Sequence, residues 1–556
     1  MNLQQNQTDI NYTTEKWLIL FAVLVNVTGL LSPIWGVDAN LYASISKTMV
    51  IENNYVELFS NGKDWLDKPH FTFWIVALFF KLFGFSAFAY KLPAMMFVFA
   101  GAFYTYLLAK ILYNQQVGYW AALILLTAQH IVVSNNDVRA EPYLLGLVIG
   151  SVYHFYIAYK RNDFLHLLTA CLFTAFAIMT KGIFAIIPIC GAIAGELIIK
   201  KQWKHIFNWR WVLSLFLVSI FILPEIYCLY IQFDSHPEKI VFNSTNVSGI
   251  KFFFWDSQFG RFFNTGPIKG RGDITFFLHT ILWAFLPWAI LWYIAVYNYF
   301  KKNWRNVQKT EWICMSGSLL MLFVFSVSKF QLPHYINILL PFFSIITSQY
   351  ISNLSQQKSI ISLQIVQNTI IFISLLIIFL LNYFFKPQHF YKSYYFIEII
   401  LIIALILIIK QKKYTAKKLL VSSVLASFVI NIYLNMVFYP SLVKYESGTQ
   451  IGKYISSNYP EINPIYTSIN NNSDALMFNL NRNLTLINLK KIDSNLKKPY
   501  LFVGSLSDID TLKNNGLKIK ELMKTSDFHI TLLNAGFINY KTRNNNLDFK
   551  FLVVVR

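Results

Sequence analysis

The sequence predicts an all-α polytopic membrane protein of about thirteen transmembrane helices, with a small α/β domain at the C-terminal end. Three observations predict it. Of the 556 residues, 55% are hydrophobic and only 13% charged, about half the charged share of a soluble globular protein. The apolar residues come in runs of roughly twenty, the length that crosses a ~30 Å hydrocarbon core. After Pro440 those runs stop, and short apolar stretches (PIYTSI, LTLINL, YLFVG, FHITLL, FKFLVVV) alternate with polar, helix-compatible ones. That alternation is the pattern of a small α/β unit, placed at 441–556.

The spans fall at 17–35, 88–109, 117–133, 142–158, 164–180, 183–199, 211–230, 276–299, 311–328, 335–351, 361–384, 394–409 and 419–438. One run stands apart. FTFWIVALFFKLFG, 71–84, is short and contains Lys81, so it predicts an interfacial or re-entrant helix rather than a span. With that run excluded, Lys110, Lys160, Arg161, Lys200, Lys201, Lys204, Lys301, Lys302, Arg305 and the 410–418 lysines all fall in links on one side. By the positive-inside rule that side is cytoplasmic, the N-terminus lies inside and the C-terminus outside. Counting 71–84 as a span would reverse every later loop and put those clusters outside.

Other function classes drop out. The net charge of +21 is spread over these links and forms no basic face, so topology accounts for it and nucleic acid is not a partner. Cys171, Cys190, Cys228 and Cys314 lie in or beside apolar runs and make no disulfide framework or CxxC pattern. The polar N-terminus MNLQQNQTDINYTTEK has no small-residue cleavage site, so the first span is read as retained. No solenoid period and no phosphate-cradling GxxxxGK[ST] or GxGxxG is present.

The predicted topology gathers Asp38, Asp67, Lys68, Asp137, Arg139, Glu141, Lys181, Arg261 and Lys329 on the extracytoplasmic face. Singly, such cations can touch lipid headgroups and such acids can sit in solvated loops. Together, at the hydrocarbon boundary where charge is costly, they predict a site. Lys68 precedes Pro69, which holds it extended, and a fixed cation at a membrane surface suits a lipid phosphate. Lys181, before Gly182, is similar. Arg139 and Arg261 add guanidinium forks for phosphate oxygens, and Lys329, His334 and Tyr335 complete the set, with Asp67 and Asp137 lining it. Asp38 and Glu141 (or Asp137) are candidates for the general base that activates an acceptor. One base plus cations on the leaving group is the inventory of an inverting transfer. His70 and His334 read as capping or aromatic-belt residues, and His130 and His279 as structural.

The stretch from WGVDANLY (35–42) through WLDKPHF (65–71) to KLPAMM (91–96) resembles the first loop of the bacterial lipid A aminoarabinose transferase and protein O-mannosyltransferase superfamily. Asp38 matches the family's Asp, Asp67-Lys68-Pro69 its Glu-Lys-Pro, and Lys91-Leu92-Pro93 its Arg-Leu-Pro. MTKGIF resembles its Thr-Lys-Gly turn, FWDSQFGRFF its Glu-His-Phe-x-Arg-Phe, and SKFQLPHYINILLP its Lys-x-x-x-Pro-Tyr turn. The resemblance implies a GT-C fold and a transferase that uses a polyprenyl-phosphate sugar at a periplasmic site in the inner membrane. It assigns the catalytic carboxylate to Asp38, the phosphate-binding lysine to Lys68 and a second acid to Glu141. Ala39, Leu41, His70 and Gln258 depart from the family pattern, and Gln258 removes the His a divalent-metal site would use. No cofactor is otherwise implied. The expected partners are the lipid-linked donor, an envelope glycolipid or protein acceptor, and membrane lipid. A lipid or sugar transporter is the reading from another class, but it would place charge at mid-membrane depth in repeated halves.

Overall fold

The computed structural model describes residues 11–303, 305–388, 392–469, 473–480, 482, 484–489 and 498–556. The polar start of the chain through residue 10 lies outside them. A helix, or a broken pair of helices, stands at each of the thirteen predicted spans. Eight helices among the described residues are long and apolar enough to cross a membrane, or nine if Gln115–Thr127 and Gln129–Asn136, bent by 52°, form one span. The other predicted spans are shorter or broken. Ile183–Ile199 and Ile313–Val327 are short apolar helices, and 276–299 divides into Phe276–Ala284 and Ala289–Asn303 around a Leu-Pro step. The run at 71–84 is a 13-residue helix, Phe71–Phe83.

Burial sorts the helices. The spans Glu141–Arg161 and Ala416–Tyr445 are 78% and 89% buried, whereas Gln357–Phe385 and Ser393–Lys410 are 22% and 17% buried. The last two turn Phe372, Phe379 and Phe396 outward, as lipid-facing helices do, because lipid tails are as apolar as these rings. The first helix, Thr13–Val27, ends in a short turn at Thr28–Leu31. Fully buried Lys91 closes that end, its Nζ donating to the carbonyls of Gly29 (3.2 Å) and Ser32 (3.0 Å). Lys91 thus satisfies carbonyls that a helix end leaves open.

Between the first helix and Ala87–Leu112 lies the loop that builds the site: helix Val37–Ile51, a hairpin of β1 (Phe59–Ser60) and β2 (Lys63–Asp64), then helix Phe71–Phe83. Gln232, beyond helix Trp209–Leu229, holds the hairpin. It accepts from Leu58 N–H (2.9 Å) and donates to Leu58 O (2.8 Å) and Asp64 Oδ1 (3.0 Å).

The C-terminal sheet contains β3 (Ile465–Ser468), β4 (Leu484–Ile487), β5 (Tyr500–Ser505), β6 (Ile519–Asp527) and β7 (Asp548–Val555), in the order β4-β3-β5-β7-β6. The first three strands are parallel, and β7 runs antiparallel to β5 and β6. Four of the five apolar stretches fall in strands. FHITLL does not; the strand there is the preceding, polar IKELMKTSD. As an edge strand bonded only to β7 it leaves most side chains half-exposed, so no apolar alternation is needed.

Lys47 ties this sheet domain to helix Val37–Ile51. It is buried, donates to Phe478 O at 2.8 Å and also bonds Leu480 O. Burial pushes its ammonium down to about 8. Lys47→Met should leave both carbonyls without a donor and cost about 1–3 kcal/mol. It should appear as a lower Tm and faster proteolysis between residues 440 and 470, with the membrane helices unaffected.

Candidate functional site

Gly36 makes the turn that opens the site. Its φ is +93°, and a Cβ there would come within 2.6 Å of Asp137 Oδ1, so glycine alone lets the chain pass that carboxylate. Helix Val37–Ile51 then begins, and Asp38 lies in its first turn, where the exposed amides and the helix dipole favour a negative charge. Asp38 accepts from Arg139 Nη1 at 2.6 Å, and its side chain remains 40% exposed. Arg139 also donates to Asp137 through Nε (3.1 Å) and Nη2 (3.0 Å). Burial alone would lower the Arg139 pKa, but Asp137 and Asp38 outweigh it and hold the guanidinium charged. Asp137 is pushed upward by burial, against the pull of Arg139.

A second group stands at the Asp67-Lys68-Pro69 corner. Lys68 donates to Asp67 at 2.6 Å, and Arg261 bonds the other Asp67 oxygen. Burial would raise Asp67, yet Lys68 and Arg261 together hold it down at about 2. Burial lowers Lys68, with Asp67 opposing. A third group joins the ends of two spans. Lys181 bonds Glu141, and its Nζ sits 3.6 Å from the centre of the Tyr335 ring. His334 Nε2 lies 3.6 Å from Glu141, and burial holds this imidazole well below its usual range, hence neutral. Gly182, at φ +102°, leaves room for Gln258, whose Nε2 donates to Lys181 O at 2.9 Å.

Three of the cations face one cavity. Lys68, Lys181 and Arg261 line it with Asp67, Glu225 and Tyr335, and the rest of its wall is largely apolar. A cationic end on an apolar pocket fits an anion carried on a hydrocarbon chain. Two of the expected contacts lie elsewhere. Arg139 is taken up by Asp38 and Asp137. Lys329 is exposed and contributes only its backbone N–H, to Phe262 O at 3.0 Å. Ser328 and Phe330 line the cavity while Lys329 between them does not; the chain bends there and leaves the Lys329 side chain exposed. Glu141 stands behind Lys181, outside the cavity lining.

Sequence reading missed Glu225 and gave His70 only a capping or aromatic-belt role. Both are fully buried. His70 N–H donates to Glu225 Oε2 at 3.0 Å, its Nδ1 lies 3.0 Å from Oε1, and its Nε2 lies 3.0 Å from Val56 O. The contact fixes the chain immediately after Lys68 and Pro69. Its signal was visible: Glu225 is the one acid in the run WVLSLFLVSIFILPEIYCL, and an acid inside an apolar span needs a partner. Glu225→Ala should strand the His70 donors and cost about 1–3 kcal/mol, read as a fall in Tm in detergent. Among the described residues no three His, Cys, Asp or Glu side chains converge within metal-ligating reach.

The chain is similar to several known proteins. The family described as dolichyl-phosphate-mannose-protein mannosyltransferase matches residues 67–227, the segment that carries Lys68, Glu141, Lys181 and Glu225. The chain is 26% identical over 332 residues to an undecaprenyl phosphate-α-4-amino-4-deoxy-L-arabinose arabinosyl transferase of Proteus mirabilis, covering 58% of this chain and 56% of that one. A transferase of the same name from Pseudomonas fluorescens is 24% identical over 337 residues, covering 58% and 55%. A protein of Aquifex aeolicus is 24% identical over 331 residues, covering 58% and 61%. The chain thus spans little more than half the length of the curated relatives it matches. Among solved structures, ArnT from Cupriavidus metallidurans bound to undecaprenyl phosphate superposes with a TM-score of 0.70 over 97% of this chain and 98% of that one, at 17% identity. The superfamily resemblance read from the motifs is borne out, and the fold is GT-C.

Proposed function

We propose that this chain is an inverting glycosyltransferase of a bacterial inner membrane. It moves a sugar from a polyprenyl-phosphate carrier onto an envelope acceptor, a lipid A-like glycolipid. The observation that carries this reading is the convergence of Lys68, Lys181 and Arg261 on one partly apolar cavity, with the Asp38 carboxylate near enough to act electrostatically on Lys68. The curated transferases whose names specify an undecaprenyl-phosphate sugar support it.

In this reading the three cations hold the donor phosphate. The acceptor hydroxyl attacks the anomeric carbon, its proton passes to Asp38, and the bond from that carbon to the phosphate oxygen breaks. Polyprenyl phosphate leaves with the electron pair, and Lys68, Lys181 and Arg261 stabilise the charge that grows on it. Arg139 orients Asp38. Glu141 holds Lys181 in place and Glu225, through His70, holds Lys68; both are positioning residues. Residues 1–440 form the catalytic unit and 441–556 a periplasmic domain beside it. The N-terminus is cytoplasmic and the site periplasmic, since the lysine-rich links fall on the other side.

The test is a mass profile of envelope glycolipids and glycoproteins with and without the gene. Loss of one sugar-sized mass from a glycolipid supports the reading and names the sugar and the acceptor together. Loss from a glycopeptide makes the acceptor a protein. An unchanged profile contradicts transfer.

A further inference from the structure

Helix Val37–Ile51 carries Asp38 in its first turn, and the C-terminal domain holds the other side of that helix. Asn40, Ser44 and Lys47 stand four and three residues apart, the spacing of one helix face. Each bonds the C-terminal domain. Asn40 Nδ2 donates to Glu446 Oε1 at 3.2 Å, Ser44 Oγ to Asp474 O at 3.1 Å, and Lys47 Nζ to Phe478 O at 2.8 Å and also to Leu480 O. At about 100° per residue, Asp38 lies roughly half a turn away from this stripe, on the side where Arg139 donates to it. The helix is therefore held from behind by residues 446–480 and from in front by Arg139. We propose that the C-terminal domain holds the catalytic base in place, with Glu446 as the positioning residue nearest to it. The proposal rests on the transferase reading above and gives this domain a part in that reaction.

The contacts are made in a way that fixes position. Asn40, Ser44 and Lys47 are all buried, so parting any of them from its partner strands a buried polar group. Small residues let the domain come close: Ala39 and Ala43, both fully buried, share an apolar cluster with Phe478. Glu446 is itself pinned. Its Oε2 accepts from Thr449 Oγ1 at 2.6 Å, and the next residue, Ser447, donates through its N–H (3.1 Å) and Oγ (2.6 Å) to Asp527 on β6. A line of bonds thus runs from the sheet through Glu446 to Asn40, and on to Gly36 O, which also accepts from Asn40 Nδ2 at 3.0 Å. Asp38 stands between Gly36 and Asn40 in the chain. Loosening that line should displace its carboxylate, and a misplacement of about 1 Å costs on the order of 10²-fold in rate. The donor cations stand outside it: Lys68 and Arg261 bond Asp67, and Lys181 bonds Glu141.

The test measures single-turnover sugar transfer in the full chain in detergent, with lipid-linked sugars and envelope lipid extracted from host membranes. Undecaprenyl phosphate is titrated into the same preparation, and the rate is expressed per donor-binding site, which removes any loss of folded protein. Glu446→Ala should lower that rate about ten- to a hundred-fold and leave the Kd for undecaprenyl phosphate unchanged. Glu446→Gln keeps an oxygen for Asn40, and Thr449 Oγ1 can accept from the new amide, so most of the rate should return. In the Asp38→Asn chain, Glu446→Ala should cause no further loss, because residues that act as a unit are not additive; a merely structural role would add its full effect. Ser44→Ala removes one hydroxyl and serves should Glu446→Ala fail to fold, with a smaller effect of the same pattern. A rate unmoved by both substitutions, donor affinity that falls in step with the rate, or a full extra loss in the Asp38→Asn chain overturns the proposal. If the wild-type chain binds the donor and transfers sugar while any of these is seen, this inference fails alone; if it transfers none, the transferase reading fails as well.

Discussion

Asp38→Asn should lower the turnover of sugar transfer by about 10²- to 10⁴-fold, the span that one general base contributes. The substitution is conservative in every respect but one. The amide oxygen it introduces can still accept from Arg139, which donates to the carboxylate at 2.6 Å, and the helix turn after Gly36 is untouched. The negative charge is lost, and with it the capacity to take the acceptor proton. Undecaprenyl phosphate should still bind, at least as tightly, because none of the cavity cations depends on Asp38 for a hydrogen bond and one negative charge near Lys68 is gone. Single-turnover transfer set beside donor binding separates the two quantities. Asp137→Asn is the comparison: it disturbs the same Arg139 but not the base, so its effect should be far smaller.

Lys181→Met should produce two losses of different origin. Glu141 is almost fully buried and bonds Lys181. With the lysine gone, its charge keeps neutral His334 at 3.6 Å and the weaker pull of Arg139, and breaking a buried pair this way costs roughly 3–5 kcal/mol. The donor phosphate also loses one cation, and a charge-assisted hydrogen bond worth ~1.5–3 kcal/mol corresponds to about a ten- to a hundred-fold rise in Kd. Adding Glu141→Gln to Lys181→Met should restore most of the Tm and none of the affinity. If the double variant recovers binding as well, Lys181 acts only as a partner for Glu141 and is no phosphate contact.

Much of this molecule can be read from its residues, for identifiable reasons. Helices stand at every predicted span because hydrocarbon thickness sets the length of an apolar run. The charged face follows from that count together with the lysine-rich links. What the sequence conceals is which charges meet. Asp38 finds Arg139 across about a hundred residues, and Arg261 finds Asp67 from still farther away; no spacing rule encodes either pair. Lys329 stands between two residues that face the cavity, yet the chain bends there and its own side chain is exposed outside it. Glu225 was conspicuous as a lone acid in a span, but only the fold shows that His70 receives it. The edge strand Ile519–Asp527 went unread because an edge half-open to water needs no apolar alternation.

The most direct measurement reconstitutes the protein in vesicles of envelope lipid with the pool of lipid-linked sugars extracted from host membranes, labelled in the sugar and in the carrier phosphate. With the wild-type chain the sugar label should pass to one acceptor as polyprenyl phosphate is released in equal amount, and with Asp38→Asn neither should move. Sugar label that crosses the bilayer still joined to its carrier, or that transfers equally well with Asp38→Asn, would contradict the account: the first makes the protein a transporter, the second removes Asp38 as the base.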